Sequence, residues 1–201
     1  MYIPKHFKMQ DAEKVFQFIE KYNFAILVGV QDGIPIATHL PFVIERRGDD
    51  WYLISHLAAQ NNHAGLLNNQ KCLVIFSEPH AYISPKLYNS PINVPTWNYM
   101  AVHTYGIASV LEQNSEKLAA MQKMISSFEP SYLEQFENLP DKYVNGLLQG
   151  VVAFEIKIDK LEAKEKLSQN KTPEDRQNVM NHLLTSNDTR ETELGEYMRN
   201  L

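Results

Sequence analysis

Residues 94–106, VPTWNYMAVHTYG, decide the fold. Pro95 has no backbone donor and disfavours helical geometry in the residue before it, so no helix runs in from Val94. From Trp97 onward the residues are aromatic, β-branched or small, the types that fit a pleated surface. Alternation places Trp97, Tyr99, Ala101, His103 and Tyr105 on one face, and Asn98, Met100, Val102, Thr104 and Gly106 on the other. Neither face carries Asp, Glu, Lys or Arg. A strand of this kind belongs in the middle of a barrel, or between a barrel and a partner. Two readings of its side chains stay open. All are core, or the Trp, Asn, Tyr and His tips make a flat apolar wall for a planar heteroaromatic ligand.

Upstream, residues 24–31 (FAILVGVQ) and 35–44 (PIATHLPFVI) flank Asp32-Gly33, a strong signal for a two-residue hairpin. Pro41 cannot donate to a ladder, so the second of these strands lies at an edge or is bulged near Pro41. WYLISH at 51–56 reads as the third strand, residues 58–69 as a short helix with Leu66 and Leu67 inward, and CLVIFS at 72–77 as the fourth strand. EPHAYISP then reads as a short strand between two turns. A helix over 11–22, capped by Asp11, precedes the strands and shows Val15, Phe16, Ile19 and Tyr22 on one face.

Downstream, Asn114 or Ser115 caps a helix ending near Phe128, and a second short helix spans 141–149. VVAFEIKI at 151–158 alternates as a strand that closes the barrel, and LEAKEKLSQNK links it to Thr172. Thr172, Pro173 and Asp175 make a helix start, with the helix running to Leu184. A last helix over 191–201 carries a stripe of Leu194, Tyr197, Met198 and Leu201. The pattern predicts a mainly β, α+β chain of one domain, 1–201, with a helical annex over 172–201.

At 201 residues and 44% hydrophobic content, the chain can bury one substantial core. The longest apolar runs, such as AILVGV at 25–30, are too short to span a bilayer. No apolar core follows a basic head at the N-terminus, and the single Cys72 excludes an internal disulfide; both fit cytoplasm. A net charge of −5 with no dense Lys/Arg run gives direct DNA binding little support. The chain has no GxGxxG, GxxxxGK, HExxH or CxxC motif, which argues against a Rossmann site, a P-loop or structural zinc. Its seven histidines raise a haem or metal question, but a lone His on a strand reads as hydrogen-bonded core, and no residue is assigned to a metal.

The HLAAQN segment at 56–61 is the best phosphate candidate on physical grounds. A helix N-terminus after a strand offers unpaired amides, and Ser55, His56, Gln60 and Asn61 add side-chain groups. The alternative is ordinary helix capping. KLSQNK at 166–171 is a polar cluster before a helix, which by itself reads as loop and cap.

The segments MYIPKHF, ATHLPF, HLAAQN, FSEPHAYISP, VPTWNYMAVHTYG and KLSQNK, in this order, resemble those of the PaiB family of FMN-binding negative transcriptional regulators. The resemblance spans nearly the whole chain. It implies a split β-barrel related to pyridoxamine-phosphate oxidase, and a homodimer with FMN at its interface. By this resemblance the flavin phosphate lies at the HLAAQN junction, the ring lies along Thr38, His39 and Leu40 and beside Trp97, Asn98 and Tyr99, and KLSQNK reaches the flavin. Lys166 and Lys171 then offset phosphate charge, while Ser168, Gln169 and Asn170 supply hydrogen bonds. The chain departs from the family pattern at Asn62, where Pro is usual, at Glu78, where Gly is usual, and at Lys86-Leu87, where Ser-Trp is usual. Alternatives are an FMN-dependent oxidoreductase acting on a small molecule, a haem-binding or haem-degrading relative, and a scaffold whose flavin site has decayed.

Overall fold

The computed structural model describes residues 1–201. Seven strands, β1 (Phe24–Gln31), β2 (Ile34–Pro41), β3 (Val43–Arg47), β4 (Asp50–Ala58), β5 (Lys71–Ile83), β6 (Thr96–Val110) and β7 (Val151–Lys166), form one sheet in the order β2-β1-β5-β6-β7-β4-β3. Six helices accompany it: α1 (Ala12–Lys21), α2 (Asn114–Phe128), α3 (Leu133–Glu137), α4 (Asp141–Gln149), α5 (Pro173–Leu184) and α6 (Thr189–Arg199). The architecture is α+β, as the pattern predicts.

Local chemistry explains most boundaries. Asp32 (φ 52°) and Gly33 (φ 78°) both adopt positive φ between Gln31 and its partner Ile34, the two-residue turn whose twist matches a hairpin. Asp11 Oδ1 accepts from the Glu13 amide (2.9 Å) and Asn23 Nδ2 donates to the Glu20 carbonyl (2.9 Å), closing both ends of α1. Thr172 Oγ1 accepts from the Asp175 amide (3.2 Å) ahead of Pro173 at the start of α5. The start of α2 is held from Gln113, whose amide donates to Glu116 Oε2 (3.1 Å), rather than from Asn114 or Ser115. Helix α6 begins at Thr189 because Asp188 Oδ1 accepts from the Arg190 amide (2.9 Å).

The run 35–44 is two strands, not one. The chain breaks at Phe42, and β2 and β3 lie at opposite ends of the sheet order. Pro41 supplies no donor there, and the Phe42 amide donates to the Asn23 carbonyl (2.8 Å) instead of to a ladder. The edge position expected of a proline-bearing strand holds for β2. Strand β5 runs without interruption through Pro79. Its register with β1 covers only Leu73–Ile75, so a missing donor at Pro79 costs no bond to β1. LEAKEK is strand rather than link, since β7 extends to Lys166. Residues 58–69 hold no α-helix. A turn leads into a five-residue 3-10 helix, Asn62–Leu66, and Leu67 rather than Leu66 is fully buried.

The chain forms two compact units. Ser77–Val102 and Glu162–Leu201, with Met1–Val15, make the first. Its buried side chains include Ile83, Leu167, Val179, Leu183 and Leu194. Phe16–Phe76 and His103–Leu161 make the second. There the ring of Phe42 meets Phe76 (6.0 Å) and Phe154 (6.3 Å) edge to face, around a core with Leu27, Leu53 and Ile156. Ile54, Ala120 and Ala153 seat α2 on this core. No helix is long and apolar enough to cross a membrane.

Along β6, Asn98, Met100, Val102, Thr104 and Gly106 are buried; on the other face Ala101 is buried as well, whereas Trp97 is 53% exposed and Tyr99, His103 and Tyr105 are half-buried. The aromatic face is therefore not ordinary core. Gly106 sits where a side chain has no room: a Cβ would lie 2.2 Å from the Lys157 carbonyl oxygen. Nearby Cys72 approaches the Gly106 carbonyl (3.6 Å), and burial pushes its thiol up to about 12. Gly106→Ala must move backbone rather than a side-chain end. It is expected to lower stability by about 1–3 kcal/mol, read as a drop in thermal midpoint; a midpoint within a degree of wild type contradicts the packing described.

Candidate functional site

Two groups of candidate residues occur, one in each unit. In the second unit, Thr38, His39 and Leu40 lie on edge strand β2. Leu40 is core, His39 is exposed and stacks on Phe24 (6.3 Å), and Thr38 Oγ1 meets His63 Nδ1 at 3.0 Å. His63 is buried over Gly29, where a Cβ would come within 2.6 Å of its Nε2, so only glycine leaves space for the ring. Asn61 Oδ1 accepts from the His63 amide (2.9 Å) and starts the 3-10 helix. The amides of Ala59, Asn61 and Ala64 also bond within the chain. The row of free helix amides expected at HLAAQN is thus absent, since the segment folds as a tight turn. Ser55 is fully buried and its hydroxyl donates to the Pro41 carbonyl (2.7 Å). His56 turns Nδ1 to Met124 Sδ (3.3 Å), and Gln60 is exposed.

In the first unit, Trp97, Asn98 and Tyr99 open β6, and Lys166, Ser168, Gln169, Asn170 and Lys171 lie at the end of β7 and in the turn after it. Here the structure brings predicted residues together. Lys166 Nζ donates to Thr96 Oγ1 (2.6 Å) and to the Trp97 carbonyl. Asn98, buried, donates through Nδ2 to Ser168 Oγ (2.9 Å), while its Oδ1 has no partner. Ser168 adopts φ 62°, a left-handed conformation that turns the chain. Gln169 is spent locally: Oε1 accepts from the Leu167 amide (2.7 Å) and Nε2 donates to the Glu165 carbonyl (2.6 Å). Asn170 is exposed. Lys171 Nζ donates to Asn93 Oδ1 (2.8 Å) and lies 4.2 Å above the Tyr88 ring.

Lys164 belongs to this group although the sequence pattern of LEAKEK suggests a link. It is only 7% exposed, donates to Tyr99 Oη (2.7 Å) and the Tyr2 carbonyl (3.2 Å), and lies two residues before Lys166 on β7. That spacing on a strand puts both ammonium groups on one face, a signal available once LEAKEK is recognised as strand. Desolvation pushes the Lys166 pKa down, and the charges of Lys164 and Lys171 push it further in the same direction. None of the three lysines has a carboxylate partner. His80 (5.8 Å) and Tyr82 (6.0 Å) flank the Trp97 ring and complete an exposed aromatic wall. A cationic group without counter-ion beside such a wall fits an aromatic phosphate ester, which answers whether the residues present suit FMN.

The sheet order and its helices define a split β-barrel of the FMN-binding type. A family model described as "Putative FMN-binding domain" matches residues 1–160. The chain is 37% identical over 201 residues to "Protease synthase and sporulation protein PAI 2" of Bacillus subtilis, covering 98% of this chain and 96% of that protein. An uncharacterized protein of Saccharomyces cerevisiae is 30% identical over 166 residues, 71% of this chain and 98% of its own. Among solved structures, the FAD and heme binding protein of Mycobacterium smegmatis superposes with a TM-score of 0.65 at 17% identity, covering 84% of this chain and 78% of that one. The flavocytochrome Anf3 of Azotobacter vinelandii does so with 0.65 at 17%, covering 87% and 77%. The chain belongs to the FMN-binding PaiB family, and FMN is the cofactor that membership gives it.

Burial depresses the pKa of both His63 and His56 below the ordinary 6.5. The unfolded chain then takes up protons first as pH falls, so stability holds above about pH 6.5 and is lost as pH drops through the lower folded values. Burial raises the Glu165 pKa, so that group opposes the trend as pH falls, while carboxylates with lowered values contribute only further down. Thermal midpoints measured from pH 7.5 to 5 should fall below pH 6.5, and His63→Gln should flatten part of that slope. An unchanged slope would show that His63 is protonated in the folded protein.

Proposed function

We propose that this chain is a flavin-loaded homodimer of PaiB type that acts as a negative transcriptional regulator. Lys164, Lys166 and Lys171 neutralise the FMN phosphate, and the Trp97 wall flanks the ring system. The observation that carries the reading is three neighbouring ammonium groups, one of them with a depressed pKa, that share no carboxylate. An arrangement of this kind is unfavourable until an anion enters it. Asn98 is a positioning residue: from the buried face of β6 it holds Ser168 and so sets the turn that aims Lys171. Thr38, His39, Gln60 and Asn61 form a separate group of flavin-contact candidates within the second unit. When bound, FMN supplies hydride or single-electron exchange. The protein's own part is to hold the phosphate, orient the ring and limit water at the aromatic wall.

Regulation through a partner or through dimer stability suits a chain of net charge −5 better than direct reading of a duplex. Purified protein should take up FMN and gain roughly 2.7 kcal/mol of stability at a hundredfold excess over Kd. Sedimentation should report a dimer. Lys166→Ala and Lys171→Ala should each weaken FMN by about tenfold, the worth of one charge-assisted hydrogen bond, and leave riboflavin almost untouched. Equal losses for the two ligands would remove these lysines from the phosphate, and no uptake at saturating FMN would end the proposal. Oxidation of a reduced nicotinamide by the loaded protein would favour the oxidoreductase alternative.

A further inference from the structure

We propose that the cavity walled by α2, α3, α4 and the end of β4 binds a neutral apolar molecule carrying one hydroxyl donor, of the alkylphenol or naphthol class. The cavity measures about 410 Å³ and lies wholly within the second unit. Met121, Met124, Ile125, Phe136 and Leu148 form its walls, with His56 among them. A space of this size and composition is in the range of small-molecule pockets, and methionine walls adapt to ligands of varied outline.

His56 sets the chemistry. Its Nδ1 lies 3.3 Å from Met124 Sδ. A thioether accepts and never donates, so the contact is a hydrogen bond in the tautomer whose Nδ1 carries the hydrogen and whose Nε2 keeps its lone pair. Nε2 has no protein partner. Burial holds the ring in its neutral form by pushing its pKa down. The lining therefore offers the Nε2 acceptor together with the Tyr132 hydroxyl and the Glu129 carboxylate, and no Lys or Arg. Glu129, the one carboxylate at the cavity, further disfavours anions. Lys123 from the same helix is engaged with Glu45 and does not line the space. What fits is an uncharged ring or chain whose hydroxyl donates to Nε2 while the remainder buries against Met, Phe and Leu. This site is independent of the lysine group and stands whether or not the flavin reading does.

The test is calorimetric titration of the full-length protein with 2-naphthol and with 2-methoxynaphthalene, which has the same ring and no donor. Wild type should prefer 2-naphthol by about tenfold, the equivalent of one hydrogen bond. His56→Leu should remove that preference by weakening 2-naphthol alone. Val144→Phe, at a half-buried wall position, should weaken both probes while circular dichroism stays native. Leu147→Trp, at an exposed wall position, provides a second block that does not endanger folding. Absence of binding by either probe, equal binding to wild type, a preference that survives His56→Leu, or binding untouched by both wall variants would each overturn the proposal.

Discussion

The passage of the chain through Pro41 and Phe42 is the constraint on which the barrel depends. An open seven-stranded sheet has two edges, and here the strands at those edges, β2 and β3, are consecutive in the chain with a single residue between them. That connection can exist only if the sheet rolls until its ends approach. Three interactions hold it there. The Phe42 ring fills the middle of the core against Phe76 and Phe154, its amide donates to Asn23, and the Ser55 hydroxyl of β4 donates to the Pro41 carbonyl of β2. A buried hydroxyl committed to a backbone carbonyl is costly to redirect, since losing the bond leaves an unsatisfied buried acceptor. Ser55 thus serves closure, and the chemistry of a ligand falls to residues whose polar atoms have been left less occupied.

Charge placement separates those residues from scaffold. In the second unit Glu45, Arg47, Lys123 and Glu155 pair among themselves at the surface, so each charge is answered within the fold. Lys164, Lys166 and Lys171 are answered only by neutral oxygens of Thr96, Tyr99, Tyr2, Trp97 and Asn93. Hydroxyl, amide and carbonyl oxygens orient an ammonium group without neutralising it. The positive potential stays available, and the aromatic faces of Tyr99 and Tyr88 beneath Lys164 and Lys171 steady the side chains without cancelling their charge.

Much of this was legible in the sequence where one local rule acts alone. Asp32-Gly33 makes its hairpin because no tertiary contact competes, and Thr172-Pro173 begins α5 because cap and proline agree. The alternation of residues 97–106 correctly separated a buried face from an aromatic one. Reading failed where tertiary pairing overrode local preference. LEAKEK has the composition of a solvated helix or link, yet it continues β7 because Lys8 bridges Lys164 and Met9 bonds to Ala163 from a distant part of the chain. HLAAQN looks like a helix start, yet the contact of His63 with Thr38 and Gly29 folds the segment into a 3-10 turn. Lys164 was missed for the first of these reasons.

The same charge map bears on the proposed regulatory reading. Binding to a duplex gains affinity when surface cations displace counter-ions from phosphates. At the surface here Lys71, Lys157, Arg190 and Arg199 already face Asp159, Asp50, Asp188 and Glu196. Lys164, Lys166 and Lys171, half-buried or buried, meet only neutral oxygens, so their charge is open to a compact phosphate ester. A duplex would approach an overall negative chain, whereas FMN meets a local group of three ammonium groups that share no carboxylate. On the proposed reading, the flavin is the anion this charge distribution accommodates, and its effect on transcription passes through whatever protein surface the loaded form presents.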